Sequence, residues 1–397
     1  MSKTTWIKPR HKAAKVCFSW LLSLYSKIKY HAQIVPFKES KERPFFMMMN
    51  HQTAADQFFM YCSAKRPIYM ISTEDMFSIG FFSKVLSFLF APIQIKKSGN
   101  DMRCVKTCIK VAKEGGTIAI APEGNRTFSG TTESMKPTIT KLIRATKLPV
   151  AFYRIEGGFG VEPRWSNFQR KGKIRAGVSG IMEYEEYSRL SDEEFYEVIK
   201  RELYVDDTKL GQRFTHPRCA ENIERVLYIC PDCGLSRFES KGSEFWCIKC
   251  NEKYTFTGEL RIKKQNGITP FETVKEWYDY QNGFINDLTP ESFDEKPIYE
   301  DTASLSEVIL YKNKKPISKN AHLAIYKDRI TIDDISLDIA DIEALSCMGR
   351  RKLQIYAKEN IYQIAGSSGF NPVKYTNLFF RFKNILEGDS ENEFLGL

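Results

Sequence analysis

Between residues 44 and 155 short apolar runs alternate with amphipathic stretches. "PFFMMMN" (44–50), "PIYMIS" (67–72), "APIQIKK" (91–97), "GTIAIAPEG" (116–124) and "LPVAFYRI" (148–155) are continuous apolar runs of strand length. Runs of this kind, bounded by polar and turn residues, read as strands buried on both faces. Among the intervening stretches, "NDMRCVKTCIKVAKEGG" puts Met102, Val105, Ile109 and Ala112 on one helical face and stops at Gly115-Gly116. The alternation predicts an α/β domain with a mostly parallel sheet and flanking helices. Its chemistry belongs in loops just past the strand C-termini.

Past residue 188 the rhythm changes. Ser191 and Glu194 form a capping box that opens a helix, "DEEFYEVIKREL". "NGITPFETVKEWYDYQNGFINDL" reads as a helical connector. From 304 to 366 short β-rich runs recur, and "PVKYTNLFFRFKNIL" closes the chain as a helix. Strands followed by one helix predict a small β-rich, pleckstrin-homology-like unit. Its basic stretch "GRRKLQI" (349–355) is either a contact for lipid headgroups or an ordinary solvated turn.

Two segments raise the question of a membrane. At the N-terminus Val16, Trp20, Leu21 and Leu24 share a helical face, flanked by Lys8, Arg10, Lys12, Lys15, Lys27 and Lys29. That run is too short to span a bilayer and no signal-type cleavage site follows it. It reads as an amphipathic helix, lying either on an anionic bilayer or packed on the domain. The segment 76–95 is nearly long enough to span, but Gly80, Lys84 and Pro92 interrupt it. A buried or interface-lying helix is the expectation there. The charge balance, 59 Lys+Arg against 49 Asp+Glu for a net +10, fits an anionic partner: a phosphate substrate, an acidic membrane surface or RNA.

The chain has only five histidines. One of them, His51, ends the first strand of the alternating region, and Asp56 opens the following helix. The turn between them can fold the carboxylate onto the imidazole, fixing its tautomer and leaving the other ring nitrogen for a substrate proton. A capping Asp beside a structural His is the plainer reading. "APEGNRTFSG" (121–130) follows the clearest strand and brings Glu123 and Arg126 to the same sheet edge. A guanidinium suits a phosphate. Lys96 and Lys97 end another strand.

These stretches together resemble the glycerolipid acyltransferase superfamily, of the lysophosphatidic acid acyltransferase type. Its first motif, His-x4-Asp, is matched by His51 and Asp56. Its second, an apolar strand ending in basic residues, is matched by Ile93 to Lys97. Its third, commonly Phe-Pro-Glu-Gly-Thr-Arg-Ser, is matched at Pro122, Glu123, Gly124 and Arg126, with Ala121, Asn125 and Thr127 as departures. Its fourth is matched by Leu148, Pro149 and Val150. The resemblance covers about residues 15–190. It implies transfer from acyl-CoA or acyl-carrier protein to the hydroxyl of a lysophospholipid, with 1-acyl-sn-glycerol 3-phosphate foremost. It further implies His51 as general base and Asp56 as its orienter. Arg126 with Lys96 or Lys97 would hold the acceptor phosphate, and Glu123 and Gly124 would shape the loop or meet the acceptor. Another lysolipid acceptor is the enzymatic alternative. A non-catalytic regulatory protein with a degenerate domain is the other.

"CPDCGLSRFESKGSEFWCIKC" holds Cys230, Cys233, Cys247 and Cys250 in C-x2-C-x13-C-x2-C spacing. Four thiolates so spaced, around a hairpin, predict a zinc ribbon whose zinc is structural. The remaining six of the ten cysteines are scattered, which points to a reducing compartment. Acidic residues interleave with the ribbon's basic ones, so nucleic acid is not the expected partner. The expected organisation is an acyltransferase domain with its N-terminal helix (1–188), a helical linker (189–228), the ribbon (229–258), a connector (259–303) and the β-rich unit (304–397). The expected location is the cytoplasmic face of a membrane, held peripherally. No cysteine ligand lies in the acyltransferase motifs, so the ribbon is expected to be separable from activity.

Overall fold

The computed structural model describes residues 5–38, 43–95, 101–309, 312–357 and 360–388. The chain opens with α1 (Pro9–Tyr30) and β1 (Ala32–Ile34). The alternating region follows: β2 (Phe46–Met49), α2 (Asp56–Ser63), β3 (Ile68–Thr73), α3 (Phe81–Phe90), β4 (Ile93–Ile95), α4 (Met102–Lys113), β5 (Thr117–Ile120), α5 (Ile139–Thr146) and β6 (Val150–Glu156). A one-turn helix, α6 (Gly158–Val161), leads to β7 (Ile174–Met182), α7 (Tyr184–Tyr187) and α8 (Asp192–Leu203).

The seven strands form one sheet in the order β1-β7-β6-β2-β5-β3-β4. Only the β6–β7 pairing is antiparallel; the others are parallel. Central β2 explains its own unbroken apolar sequence. Phe46 and Met48 enter the core on one face with Tyr69, Ile118, Val150 and Ile199. Met47 and Met49 enter the core on the other with Phe59, Tyr153 and Ile155. With both faces covered, a period-2 strand has no polar position to display.

Two helices differ from the pattern in their sequences. In α4 the buried stripe is Cys104, Cys108 and Val111, while Met102 is exposed. The face is turned by one position from that marked by Met102, Val105, Ile109 and Ala112, because the two cysteines act as small apolar residues against the sheet. In α1 the buried residues include His11, Lys15, Ser26 and Tyr30, whereas Val16, Trp20, Leu21, Leu24 and Ile28 are exposed. Lys15 is thus no surface lysine: its ammonium donates to the carbonyl of Tyr61. Helix α3 is short and lies on the surface with Phe81, Phe82 and Phe88 exposed. Among the described residues no helix is long and apolar enough to cross a membrane.

The remainder comprises β8 (Ile229–Cys230), β9 (Gly234–Leu235), β10 (Phe238–Lys241), β11 (Glu244–Cys247), β12 (Lys253–Phe256), β13 (Ile262–Lys264) and α9 (Val274–Asn286). Then come β14 (Tyr299–Glu307), β15 (Lys315–Ile325), β16 (Arg329–Ile332), β17 (Ile335–Asp338), β18 (Ile342–Met348), β19 (Lys352–Ala357), β20 (Asn360–Gly366) and α10 (Pro372–Leu386). β10 to β13 make a four-stranded sheet, and β14 to β20 a seven-stranded antiparallel sheet in the order β17-β16-β15-β14-β20-β19-β18. Asn371 caps α10 by accepting from Val373 N at 2.9 Å and Lys374 N at 3.2 Å.

These units are not beads on a string. One continuous core runs from Phe59 and Trp165 in the first domain through Cys230, Phe245 and Trp277 to Leu323, Ile355 and Phe379. Polar ties reinforce it. Trp277 Nε1 donates to Ile229 O at 2.8 Å, and Asn377 Nδ2 to Tyr228 Oη at 2.7 Å.

Candidate active site

Asn50 fixes where β2 ends. Its amide donates to Ile155 O and accepts from Ile155 N, each at 2.8 Å, so the loop that follows leaves the sheet beside the end of β6. His51 is the next residue. Asp56, the first residue of α2, is fully buried. Its Oδ2 accepts from His51 Nδ1 at 2.8 Å and from Gln52 N at 2.6 Å. Thr53 adds its N–H, 3.0 Å from both oxygens, and its hydroxyl, 2.6 Å from Oδ1. The carboxylate therefore ties down the loop ahead of α2 and orients the imidazole at once, with its charge placed at a helix N-terminus. Asp56 meets the His51 imidazole but makes no cap hydrogen bond to α2, whose N-cap is Ala55.

The 121–130 turn lies directly against this loop. Thr127 N donates to His51 O at 2.9 Å. Glu123 is buried and accepts from His51 N at 2.7 Å through one oxygen and from Glu133 N at 2.7 Å through the other. Both oxygens are used inside the protein, so Glu123 locks the two loops together. Burial pushes its carboxyl well above the usual range, against the pull of the two backbone N–H groups. Gly124 has φ of 68°, a left-handed value that a side chain disfavours. The N–H of Gly124 closes the turn onto Ala121 O at 3.0 Å.

Arg126 is deeply buried, and burial pulls its guanidinium below its ordinary value. Its Nη1 lies 3.7 Å from Glu162 Oε2 and is a buried donor without a hydrogen-bond partner. An unsatisfied buried guanidinium N–H is costly, and an anionic ligand would satisfy it. Lys96 and Lys97 lie outside the described residues.

Four groups around this constellation carry no motif. Glu162 accepts from Ala54 N at 3.1 Å, Tyr30 Oη at 3.3 Å and Arg350 Nη2 at 2.8 Å. Asp207 accepts from Gly157 N at 2.8 Å, Gly160 N at 3.1 Å and Gln52 Nε2 at 3.1 Å, pinning α6 to the His51 loop; burial pushes its carboxyl up to about 6. Arg164 spans the turn, giving hydrogen bonds to Arg126 O at 2.8 Å and to Asn125 Oδ1 at 3.3 Å. Only Arg350 belonged to a stretch marked in the sequence. It is not a freely solvated residue, since its guanidinium is bonded to Glu162.

A second site lies in the ribbon. The sulfurs of Cys230, Cys233, Cys247 and Cys250 all lie within 4.8 Å of one another, a set that can hold a metal ion. Cys230 leaves β8 and Cys247 ends β11, so two hairpins bring the pairs together. Ser236 Oγ lies 3.1 Å from Cys247 Sγ. A four-sulfur set leaves no open coordination position, the arrangement of structural rather than catalytic metal sites.

Residues 27–154 match the family model described as Acyltransferase. That span contains His51, Asp56 and the Glu123–Arg126 turn, so this part of the chain is similar to the Acyltransferase family, and the four-cysteine unit and the β-rich unit follow it. Among solved structures, the chain is similar to the 1-acyl-sn-glycerophosphate (LPA) acyltransferase PlsC from Thermotoga maritima. The two share 19% identity over 50% of this chain and 80% of that chain, with a TM-score of 0.42. No curated protein matches it.

Proposed function

We propose that this chain moves a fatty acyl group from a thioester, acyl-CoA or acyl-carrier protein, to the free hydroxyl of a lysophospholipid. The acceptor that fits best is 1-acyl-sn-glycerol 3-phosphate, giving phosphatidic acid. What carries the reading is the juxtaposition of the His51–Asp56 pair with the buried, unsatisfied Arg126. In this reading Nδ1 of His51 is held by Asp56 at 2.8 Å, and Nε2 takes the proton of the acceptor hydroxyl. The hydroxyl oxygen attacks the thioester carbonyl and forms a tetrahedral oxyanion. Collapse breaks the C–S bond, and the departing thiolate recovers the proton from the imidazolium. The N–H groups of Gly124 and Thr127 already serve Ala121 and His51, so neither is available to the oxyanion. Arg126 holds the acceptor phosphate.

We further infer that the chain works on the cytoplasmic face of a membrane. Burying Lys15 and Ser26 while exposing Trp20, Leu24 and Ile28 inverts the usual order of a soluble helix. Phe81, Phe82 and Phe88 of α3 extend the patch, and Arg10 bonds Phe88 O at 2.8 Å, joining the two helices. An apolar surface rimmed by Lys12, Lys27 and Lys29 suits an anionic bilayer. The four cysteines would hold zinc, which supplies folding energy to the ribbon when bound.

The test is acyl transfer by purified protein over a panel of lysophospholipid and neutral acceptors, with both donor types, alongside His51→Ala. The expected result is transfer that favours a phosphorylated acceptor and falls by about 10²–10⁴ in the variant. Equal turnover by His51→Ala refutes the base. No transfer with any pair leaves a binding protein with a degenerate domain.

A further inference from the structure

The tip of the β18–β19 hairpin reaches out of the C-terminal sheet into the acyltransferase site. Gly349, at φ 58°, turns the chain there, and Arg350 follows. Arg164 staples this tip to the Arg126 turn. Its guanidinium donates to Gly349 O at 2.9 Å and Cys347 O at 2.8 Å on one side, and to Arg126 O at 2.8 Å on the other. Arg164 is fully buried in the process.

Charge around Glu162 shows what the hairpin brings. Arg126 and Glu162 alone cancel. Arg350, 2.8 Å from the same carboxylate, makes the trio net positive by one. Asp56 also faces Arg126, but its charge is met by His51, Gln52 and Thr53. Both guanidiniums keep a buried nitrogen without a hydrogen-bond partner, Nη1 of Arg126 and Nε of Arg350. Two cations with spare donors around one shared carboxylate make an anion site, and guanidinium donors match phosphate oxygens.

We propose that Arg350, carried by the C-terminal sheet, joins Arg126 in binding the acceptor's phosphate and sets a preference for a phosphomonoester over a phosphodiester or a neutral acceptor. The inference rests on the lysophospholipid reading above. A phosphomonoester carries close to two negative charges at neutral pH, and a phosphodiester only one, so a second arginine rewards the monoester. The C-terminal unit is then part of the active site. Arg164 is its positioning residue, since its guanidinium bonds the backbone of both segments that present Arg126 and Arg350.

The experiment measures kcat and KM of the full chain for three acceptors: 1-acylglycerol 3-phosphate, 1-acylglycerophosphocholine and 1-acylglycerol. Wild type, Arg126→Ala, Arg350→Ala, Arg350→Gln, Arg350→Lys and Arg351→Ala are compared, each checked by thermal unfolding. Arg350→Ala should raise KM for the monoester about tenfold or more, the loss of one charged hydrogen bond. KM for the neutral acceptor and for the donor should stay unchanged. Arg350→Lys should recover part of the loss, and Arg350→Gln serves if the alanine variant fails to fold. Arg351→Ala, whose guanidinium serves Gly366 O at 3.0 Å, should bind the monoester as wild type does. If Arg126→Ala loses the monoester and Arg350→Ala does not, the inference falls while the lysophospholipid reading stands. An equal loss on all three acceptors makes Arg350 merely structural and overturns it. If neither wild type nor Arg126→Ala distinguishes phosphorylated from neutral acceptors, the lysophospholipid reading fails first and takes the inference with it.

Discussion

Replacing Asp56 with Asn separates the two jobs of that carboxylate. Four donors converge on it: His51 Nδ1, Gln52 N, Thr53 N and Thr53 Oγ1. Asparagine has one oxygen to offer. Three of these donors reach Oδ2, at 2.8, 2.6 and 3.0 Å, so the amide oxygen takes that place. The NH2 then sits at the Oδ1 position, where the Thr53 hydroxyl can rotate to accept from it. What is lost is one Thr53 N–H contact and the negative charge at the start of α2. A weakened buried bond costs about 1–3 kcal/mol, and the helix-end charge about 0.3–1 kcal/mol more. The fold should survive with reduced stability. Catalysis should suffer more. The imidazolium formed when His51 takes the hydroxyl proton no longer faces a carboxylate, and kcat should fall by about 10²–10⁴, the scale of a general base. KM for the acceptor should hardly move, since Asp56 is buried away from substrate. Because Asp56 acts on the reaction through His51, the double variant His51→Ala/Asp56→Asn should be no slower than His51→Ala alone. The assay is transfer of a labelled acyl group, which avoids thiol reagents in a chain with ten cysteines, together with chemical denaturation. A rate within twofold of wild type for Asp56→Asn, or additive losses in the double variant, would sink the assignment.

Arg126→Lys keeps the charge but not the fork, so KM for a phosphorylated acceptor should rise by about tenfold, read by steady-state kinetics; unchanged KM would place the phosphate elsewhere. Metal analysis should find one zinc per chain, and Cys233→Ser with Cys250→Ser should release it. Because Cys230 and Cys247 belong to the core shared with the acyltransferase domain, this double change should lower both melting temperature and activity; full activity in the zinc-free protein would restore the separable ribbon. Burial pulls the Lys15 ammonium down to about 8 from 10.5. The folded state thus binds fewer protons than the unfolded one in that window, and the lysine's contribution to stability rises with pH from about 8 to 10.5. Wild type minus Lys15→Met stability, from urea melts across this range, should increase with pH; a flat difference refutes the shift. Removing residues 6–30 should reduce co-sedimentation with anionic vesicles at low salt, and wild-type binding that salt does not weaken would argue against the basic rim.

Local pattern and motif order carried a good deal of this molecule. The strands of the first domain are legible because burial on both faces leaves uninterrupted apolar runs, as in Phe46–Met49. Helix α8 is legible because Ser191 accepts from Glu194 N at 3.1 Å, as its capping box requires. The spacing of His51 and Asp56 works because one loop and one helix start bring them together, and the cysteine pairs converge across short hairpins. The cap, the His51–Asp56 pair and the cysteine pairs are contacts between near neighbours. Other features depend on sequence separations that no pattern encodes. Periodicity marks the apolar side of α1 but not which side faces the sheet; only packing decided that Lys15 goes in and Trp20 stays out. The ribbon reads as a module, yet its fusion into one core arises from Trp277 and Tyr228 meeting partners far along the chain. Glu162 and Arg164 lie in no motif, and Arg350 stands 188 residues from Glu162, the carboxylate it meets. Their roles follow from a hairpin turned by Gly349 and held by Arg164 against the Arg126 turn, an arrangement fixed by the packing of whole units on one another.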